Sequence, residues 1–293
     1  MDINKYIDWL PESNKTLGAA LLRHLESPHD DAILAALEAY QNDDGGFGHG
    51  LEPDIQMPAS SVAATNVAVN LLEDVVSSPR KTNMIQRIVA YFEATYDKDT
   101  LSWDIVPPEV DDHPHAVWWN YADIDGFTYG NPNPEVAGFL AQHRRHLREL
   151  DLQPLLDKVV SHINEAPLET ISMHSLLSML RFYTRVDEVV QHSIRKRLGE
   201  LVDSLVAVRT DEWEGYVLEP YKVAEIAPEF LREHADALRD NIAYHQTLLA
   251  NGLPQPTWQW YQYEDVFEQV KEDWVALLTY GVLKTIVRFG KQL

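Results

Sequence analysis

The sequence predicts an all-α protein, a single-domain (α/α)6 toroid over residues 1–293. Three observations predict it. Apolar residues recur at helical spacing along nearly the whole chain, and strand alternation is almost absent. The helices pair into hairpins that recur about every 50 residues, a period that indicates a repeat architecture. The links between helices alternate between short and long.

Taken in order, the first helix is expected over residues 14–26. The second covers 30–41, where Ile33, Leu37 and Tyr40 share a face behind the acidic first turn Asp30-Asp31. Residues 59–78 are apolar around most of the circumference, as a helix buried on several sides requires. Further helices are expected over 83–97, 134–149, 153–165, 170–184, 187–208, 219–231 with a break near Pro228, 232–250 and 264–290. Every second helix starts near 14, 59, 134, 170, 219 and 264, which makes six hairpins. Six hairpins can close into a ring with an inner and an outer layer, and the strongly apolar helices at 59–78 and 264–290 suit the inner one. A linear solenoid is the alternative arrangement.

Composition narrows the function. The 293 residues hold 24 Lys and Arg against 46 Asp and Glu, a formal net charge of −22, with 12 His and no Cys. Thiolate chemistry, disulfides and Cys-based zinc sites are excluded. The negative charge opposes nucleic-acid binding and attachment to an anionic membrane, both of which rest on Lys and Arg. The N-terminus lacks a basic segment followed by an apolar run, and no stretch approaches the roughly 18 apolar residues that span a bilayer. A cytoplasmic location is expected, with a small molecule or glycan as ligand.

Links within hairpins are short, near 27–29, 79–82, 150–152 and 185–186. Links between hairpins are long, at 42–58, 98–133, 209–218 and 251–263, and in a closed ring they gather at one mouth. These long links contain six of the eight tryptophans, Trp103, Trp118, Trp119, Trp213, Trp258 and Trp260, with 14 acidic residues and two basic ones. The rings can plug the end of the barrel or line a ligand cleft.

The sharpest local pattern is Gln41-Asn42-Asp43-Asp44-Gly45-Gly46-Phe47-Gly48, where a helix ends and glycines let the backbone turn. Here the chain resembles the terpenoid cyclase and protein prenyltransferase superfamily, whose repeats carry a Gln-x-x-Asp-Gly-Gly-(Phe/Trp) signature at the same helix-to-loop position. The match covers one repeat. The resemblance implies an α/α toroid, a structural role for Gln41 and Asp44, and isoprenoid chemistry, with magnesium a possible companion. The prenyltransferase zinc site needs a Cys that this chain lacks. Asp123-Ile124-Asp125-Gly126 matches two of the three carboxylates of the cyclase Asp-x-Asp-Asp motif and has Gly in the third place.

His49-Gly50-Leu51-Glu52-Pro53-Asp54 follows the glycine turn and combines an imidazole with two carboxylates. It can serve acid/base chemistry or cap the helix that follows. Asp111-Asp112-His113-Pro114-His115 has the composition of a divalent-metal site, although such segments are usually solvated loops, and no metal ligand is assigned. Trp118-Trp119 offers flat faces for sugars or carbocations. His143, His146 and the other helical histidines read as packing or surface residues.

The candidate catalytic carboxylates are therefore Asp54, Asp123, Asp125 and Glu219. His49, Glu52 and the six link tryptophans are the candidate substrate contacts. Two chemistries compete for them, with a scaffold role as the third reading. One is acid-initiated carbocation chemistry on an isoprenoid. The other is cleavage of a neutral glycan by paired carboxylates and Trp platforms.

Overall fold

A computed structural model describes residues 2–12, 15–27, 30–121 and 129–290. In chain order the helices are α1 (Ile3–Trp9), α2 (Lys15–His24), α3 (Asp30–Glu38), α4 (Val62–Glu73), α5 (Pro79–Thr95), α6 (Asn133–Gln142), α7 (Leu152–Glu165), α8 (Met173–Arg185), α9 (Glu188–Leu205), α10 (Pro220–Ile226), α11 (Ala235–Asn251) and α12 (Glu264–Phe289). Among the described residues β-pairing is limited to isolated bridges, so the protein is all-helical. Among the described residues no helix is long and apolar enough to cross a membrane.

Sequence signals set most boundaries. Asp2, Ser61, Ser78, Asp151 and Ser172 each accept a backbone N–H of the helix that follows, the usual N-cap bond. The expected break near Pro228 is present: α10 stops at Ile226 and Pro228 opens a 3-10 turn, since proline cannot donate to the helix and crowds the residue before it. Two expected helices are shorter than the apolar pattern. The helix expected over 59–78 is confined to Val62–Glu73, because Ser61 caps its start. The one expected over 134–149 ends at Gln142, and a separate 3-10 turn at Arg144–His146 follows. Helix α1 has no counterpart in the sequence reading; Asp2 caps it and it buries Ile3 and Ile7, one turn apart.

The described chain forms two compact units, residues 1–40 with 206–293 and residues 41–205. In the first, α2 packs on α3 and α10 on α11, and α12 packs on α2, α10 and α11. Its core includes Leu21, Leu22, Ile33, Leu34, Leu37, Val223 and Leu283, all fully buried. The second half of α12, from Val275 to Ile286, carries most of that helix's buried residues.

In the second unit, hairpins α4–α5, α6–α7 and α8–α9 pack internally, and the first helices form a run α4–α6–α8. Arg185 locks this run. Its Nε donates to Glu73 Oε1 at 2.7 Å, Nη1 to the Glu135 carbonyl at 3.0 Å and Nη2 to Asn70 Oδ1 at 3.1 Å, so one guanidinium joins all three helices. The rigid planar fork of arginine suits such a triple junction better than lysine would.

The glycine turn before α4 is held by its polar residues. Asp44 Oδ1 accepts the Gly46 N–H at 2.9 Å and the Ser60 hydroxyl at 2.7 Å, Gln41 Nε2 donates to the Gly45 carbonyl, and Arg87 Nη2 donates to the Asn42 carbonyl. Gly45 has φ 95°, and a Cβ there would lie 2.2 Å from the Arg87 carbonyl oxygen. A Cβ on Gly46 would lie 2.6 Å from Ser60 Cβ and 2.7 Å from the Tyr91 ring. Gly46→Val is expected to lower stability by about 1–3 kcal/mol through overpacking, read as a lower midpoint in chemical denaturation. An unchanged midpoint would show that the turn gives way freely.

Candidate functional site

The segment from Gly45 to Ser61 is a loop, yet most of it is buried, including Phe47, Leu51, Glu52, Asp54 and Ile55. Buried irregular backbone needs partners for its N–H and C=O groups. Phe47 N–H donates to Thr65 Oγ1, Ser61 N–H to the Phe47 carbonyl, and His49 N–H to the Met57 carbonyl. A second link supplies the remainder: Gln56 N–H donates to the Pro114 carbonyl at 2.9 Å and Ala116 N–H to the Asp54 carbonyl at 3.0 Å, around an antiparallel bridge between Ile55 and His115. The chain from 54 to 56 is thereby clamped against 114 to 116.

That clamp fixes two carboxyl groups. Glu52 is 8% exposed and Asp54 3% exposed. Burial pushes the Glu52 carboxyl well above the ordinary range, the neighbouring Asp54 charge pushes it further, and a hydrogen bond from the Asp54 backbone opposes them only in part. Burial and the Asp54 charge thus both favour the protonated carboxyl, the form a general acid needs. His115 lies beside it on the paired segment, 2% exposed, with Nδ1 2.6 Å from the His113 carbonyl and Nε2 2.9 Å from Asn120 Oδ1. Trp119 is buried and Trp118 half-buried on the 3-10 turn that follows.

The other predicted residues of this unit have different placements. His49 is exposed, turned outward by φ 55° and bonded through Nε2 to Asn42 Oδ1. Trp103 is buried; its Nε1 donates to the Phe92 carbonyl and its ring contacts Phe92 and Tyr96, so it packs α5 instead of presenting a face. Asp123 and Asp125 lie outside the described residues.

A second polar cluster occupies the unit that contains α10 and α11. Glu219 Oε2 accepts Asn241 Nδ2 at 2.9 Å and His245 Nε2 at 2.6 Å, while Asn241 Oδ1 accepts the Tyr221 N–H. Burial alone would raise the Glu219 carboxyl; the His245 hydrogen bond, the charge of that imidazole and the Asn241 amide outweigh it and hold it below the ordinary range. His245 is clamped between Tyr221 and Tyr244, both edge-on. Nearby Lys222 is lowered by burial, with Glu219 opposing.

Asn241 and His245 were missed in the sequence. Their signal is position: they fall in the buried stripe of α11 with Leu238, Ile242 and Leu249, where polar residues need a partner.

Trp213 and Trp260 are core residues of this unit, 3% and 0% exposed, and Trp213 Nε1 donates to the Ala207 carbonyl. Neither has an open face. Trp258 is half-buried and meets Tyr216 and Trp274 edge-on, at centroid distances of 5.7 and 5.1 Å. Two open clefts of about 390 and 350 Å³ lie in this unit, one beside Ile3, Gln246 and Ile286 and the other beside Trp9, Gly252 and Lys271; no predicted site residue lines either. Among the described residues no group of three or more His, Asp or Glu is arranged to hold a metal ion.

No protein-family model matches this sequence, and no curated protein or solved structure matches it significantly.

The two clusters have opposite pH signatures. Glu52 binds its proton more tightly folded than unfolded, so its contribution falls as pH rises from the ordinary carboxyl value through the folded one. Glu52→Gln is expected to stabilise the protein at pH 7 and to remove that decline. Glu219, with its folded value depressed, contributes stability that is present above the ordinary carboxyl value and is lost as pH falls through the folded one. Glu219→Gln should cost on the order of 1–3 kcal/mol at pH 7 and progressively less on acidification. Urea denaturation of wild type and both variants between pH 3 and 8 checks both signs.

Proposed function

We propose that this protein is an acid/base enzyme of the terpenoid-cyclase-like kind, acting on an uncharged isoprenoid, with Glu52 as the proton donor. The observation that carries this reading is the buried Glu52–Asp54 pair, clamped by backbone pairing to the His115 segment. The Glu52 proton passes to one carbon of an alkene, forming a C–H bond and leaving a carbocation on the adjacent carbon. The electron pair of the broken O–H bond stays on the Glu52 carboxylate. The Asp54 charge favours the protonated form of Glu52, and by the same effect makes it a weaker acid, so proton transfer to the alkene depends on stabilisation of the cation that forms. Trp118 and Trp119, a few residues along the clamped link, are the aromatic faces suited to stabilising the cation. Return of a proton from the cation to the Glu52 carboxylate, or capture of water with its surplus proton passing to that carboxylate, ends the sequence and restores the acid.

The (α/α)6 ring belongs to the same proposal. The helix runs α4–α6–α8 and α10–α12–α2 would each contribute three inner helices, with the long links at one mouth.

Cleavage of a neutral glycan is the second reading. It is favoured by the partly exposed rings of Tyr216, Trp258 and Trp274, and by the uncharged stretch from Gly252 to Tyr263.

The test is incubation of the full-length protein in D2O with linear isoprenoid alkenes and prenyl diphosphates, with and without magnesium, and separately with neutral oligosaccharides. Isoprenoid products carrying one new C–D bond are expected. Glu52→Gln should abolish them by about 10²–10⁴-fold, the usual contribution of a general acid, while the fold persists. Shortened oligosaccharides would decide for the glycan reading. A wild-type protein inert toward both panels would leave the scaffold role.

A further inference from the structure

The sequence His143-Arg144-Arg145-His146-Leu147-Arg148 places three arginines and two histidines within six residues of a chain whose net charge is −22. The segment follows the C-terminus of α6 and includes the 3-10 turn Arg144–His146. Cations at a helix C-terminus are favoured by the helix dipole, and one would account for that. Three are more than the dipole needs.

Arg144, Arg145 and Arg148 are exposed, and among the described residues none of them forms an ion pair with a carboxylate, although 46 acids are available. The Glu93 carboxylate accepts the backbone N–H groups of Arg148, Glu149 and Leu150 at 2.9–3.1 Å, and the Arg148 charge also acts on it. Glu93 thus ties the backbone of the turn to α5, while the side chains of Arg144, Arg145 and Arg148 are exposed. Arg145 Nε donates to His146 Nε2 at 3.0 Å, and the other face of that imidazole meets the Gln86 side-chain amide at 3.4 Å. These contacts hold Arg145, His146 and Gln86 as one unit.

We propose that the His143–Arg148 turn, with Gln86 beside it, binds the phosphate group of a small molecule. Guanidinium forks match phosphate oxygens in geometry as well as charge, and the second N–H of the Gln86 amide is available to add to the shell. The cations lie within six residues, a footprint suited to one compact dianion and too short for an extended acidic peptide.

The charge around His143 agrees with this site. Burial pushes that imidazole down to about 4, and His146, Lys81 of α5, Arg185 of α8 and Arg145 push in the same direction. Arg185 has its own counterions in Glu73 and Glu135. His146 is lowered by burial and by Arg145. A bound dianion offsets the cationic contribution, so binding takes up protons and strengthens as pH falls.

The experiment titrates the full-length protein with inorganic pyrophosphate and with phenyl phosphate, following histidine ring resonances by NMR. Sulfate is the control dianion, because its charge does not change between pH 6 and 8. Saturable shifts of His143 and His146 are expected, with sulfate affinity higher at pH 6. Arg144→Ala with Arg145→Ala should weaken binding at least about tenfold without changing the melting temperature, since both side chains are exposed. Pyrophosphate and phenyl phosphate distinguish a free anion from a phosphate ester by their relative affinities. Absence of saturation, binding unaffected by the double substitution, or a sulfate affinity that rises with pH would each overturn the proposal. So would binding of a polyglutamate peptide in place of every phosphate probe.

Discussion

A buried loop has to find partners for its own backbone, and the arrangement of the second unit follows from that constraint. Helices satisfy their peptide groups internally, whereas residues 45–61 are buried without that advantage. Their bonds therefore go to a threonine of α4, to one another, and to the segment 114–116. The two carboxyl groups at Glu52 and Asp54 owe their burial to the same bonds. A polar side chain can be kept out of water only where the backbone carrying it is already held, and here the holding is done by another loop.

Glu52 and Glu219 show how little burial alone says about a carboxyl group. Both are 8% exposed. Glu52 has a second carboxyl for a neighbour and is pushed up; Glu219 receives an imidazole and an amide and is held down. The surroundings of the first favour its protonated form and those of the second its charged form. Only the first has the property an acid-initiated reaction needs, and for that reason the proposed chemistry centres on it. The arginines at 144, 145 and 148, which form no ion pair among the described residues, are the converse case, a positive island in an acidic chain where the nearby Glu93 carboxylate is bonded mainly to backbone N–H groups.

Much of the site was readable in part. The Glu52-Pro53-Asp54 triplet stood out by composition and its place after the glycine turn. Its pairing with His115, some 60 residues away, had no local signature, because a single antiparallel bridge leaves no alternation to detect. The tryptophans left two uses open, sealing a helix end or lining a cleft. Among them Trp103, Trp213 and Trp260 are folded inward, with indole N–H bonds to backbone carbonyls at the first two. A large ring in a loop is as effective at sealing a helix end as at receiving a ligand, and composition does not separate the two uses. Asn241 and His245 were hidden for the opposite reason, as polar residues at positions that periodicity assigns to the core.

What the sequence by itself determined is the helical class, the order and approximate extent of the helices, the break at Pro228 and the glycine turn at 45–46. Each depends on side-chain periodicity, caps or backbone freedom acting over a few residues. Only the tertiary structure decided which carboxyl groups are buried and what stands beside them: Asp54 next to Glu52, His245 and Asn241 on Glu219, and α5 behind the 143–148 turn. The physical reason is that desolvation and Coulomb interactions act through space over a few ångströms, and distances of that kind between remote segments are set by packing.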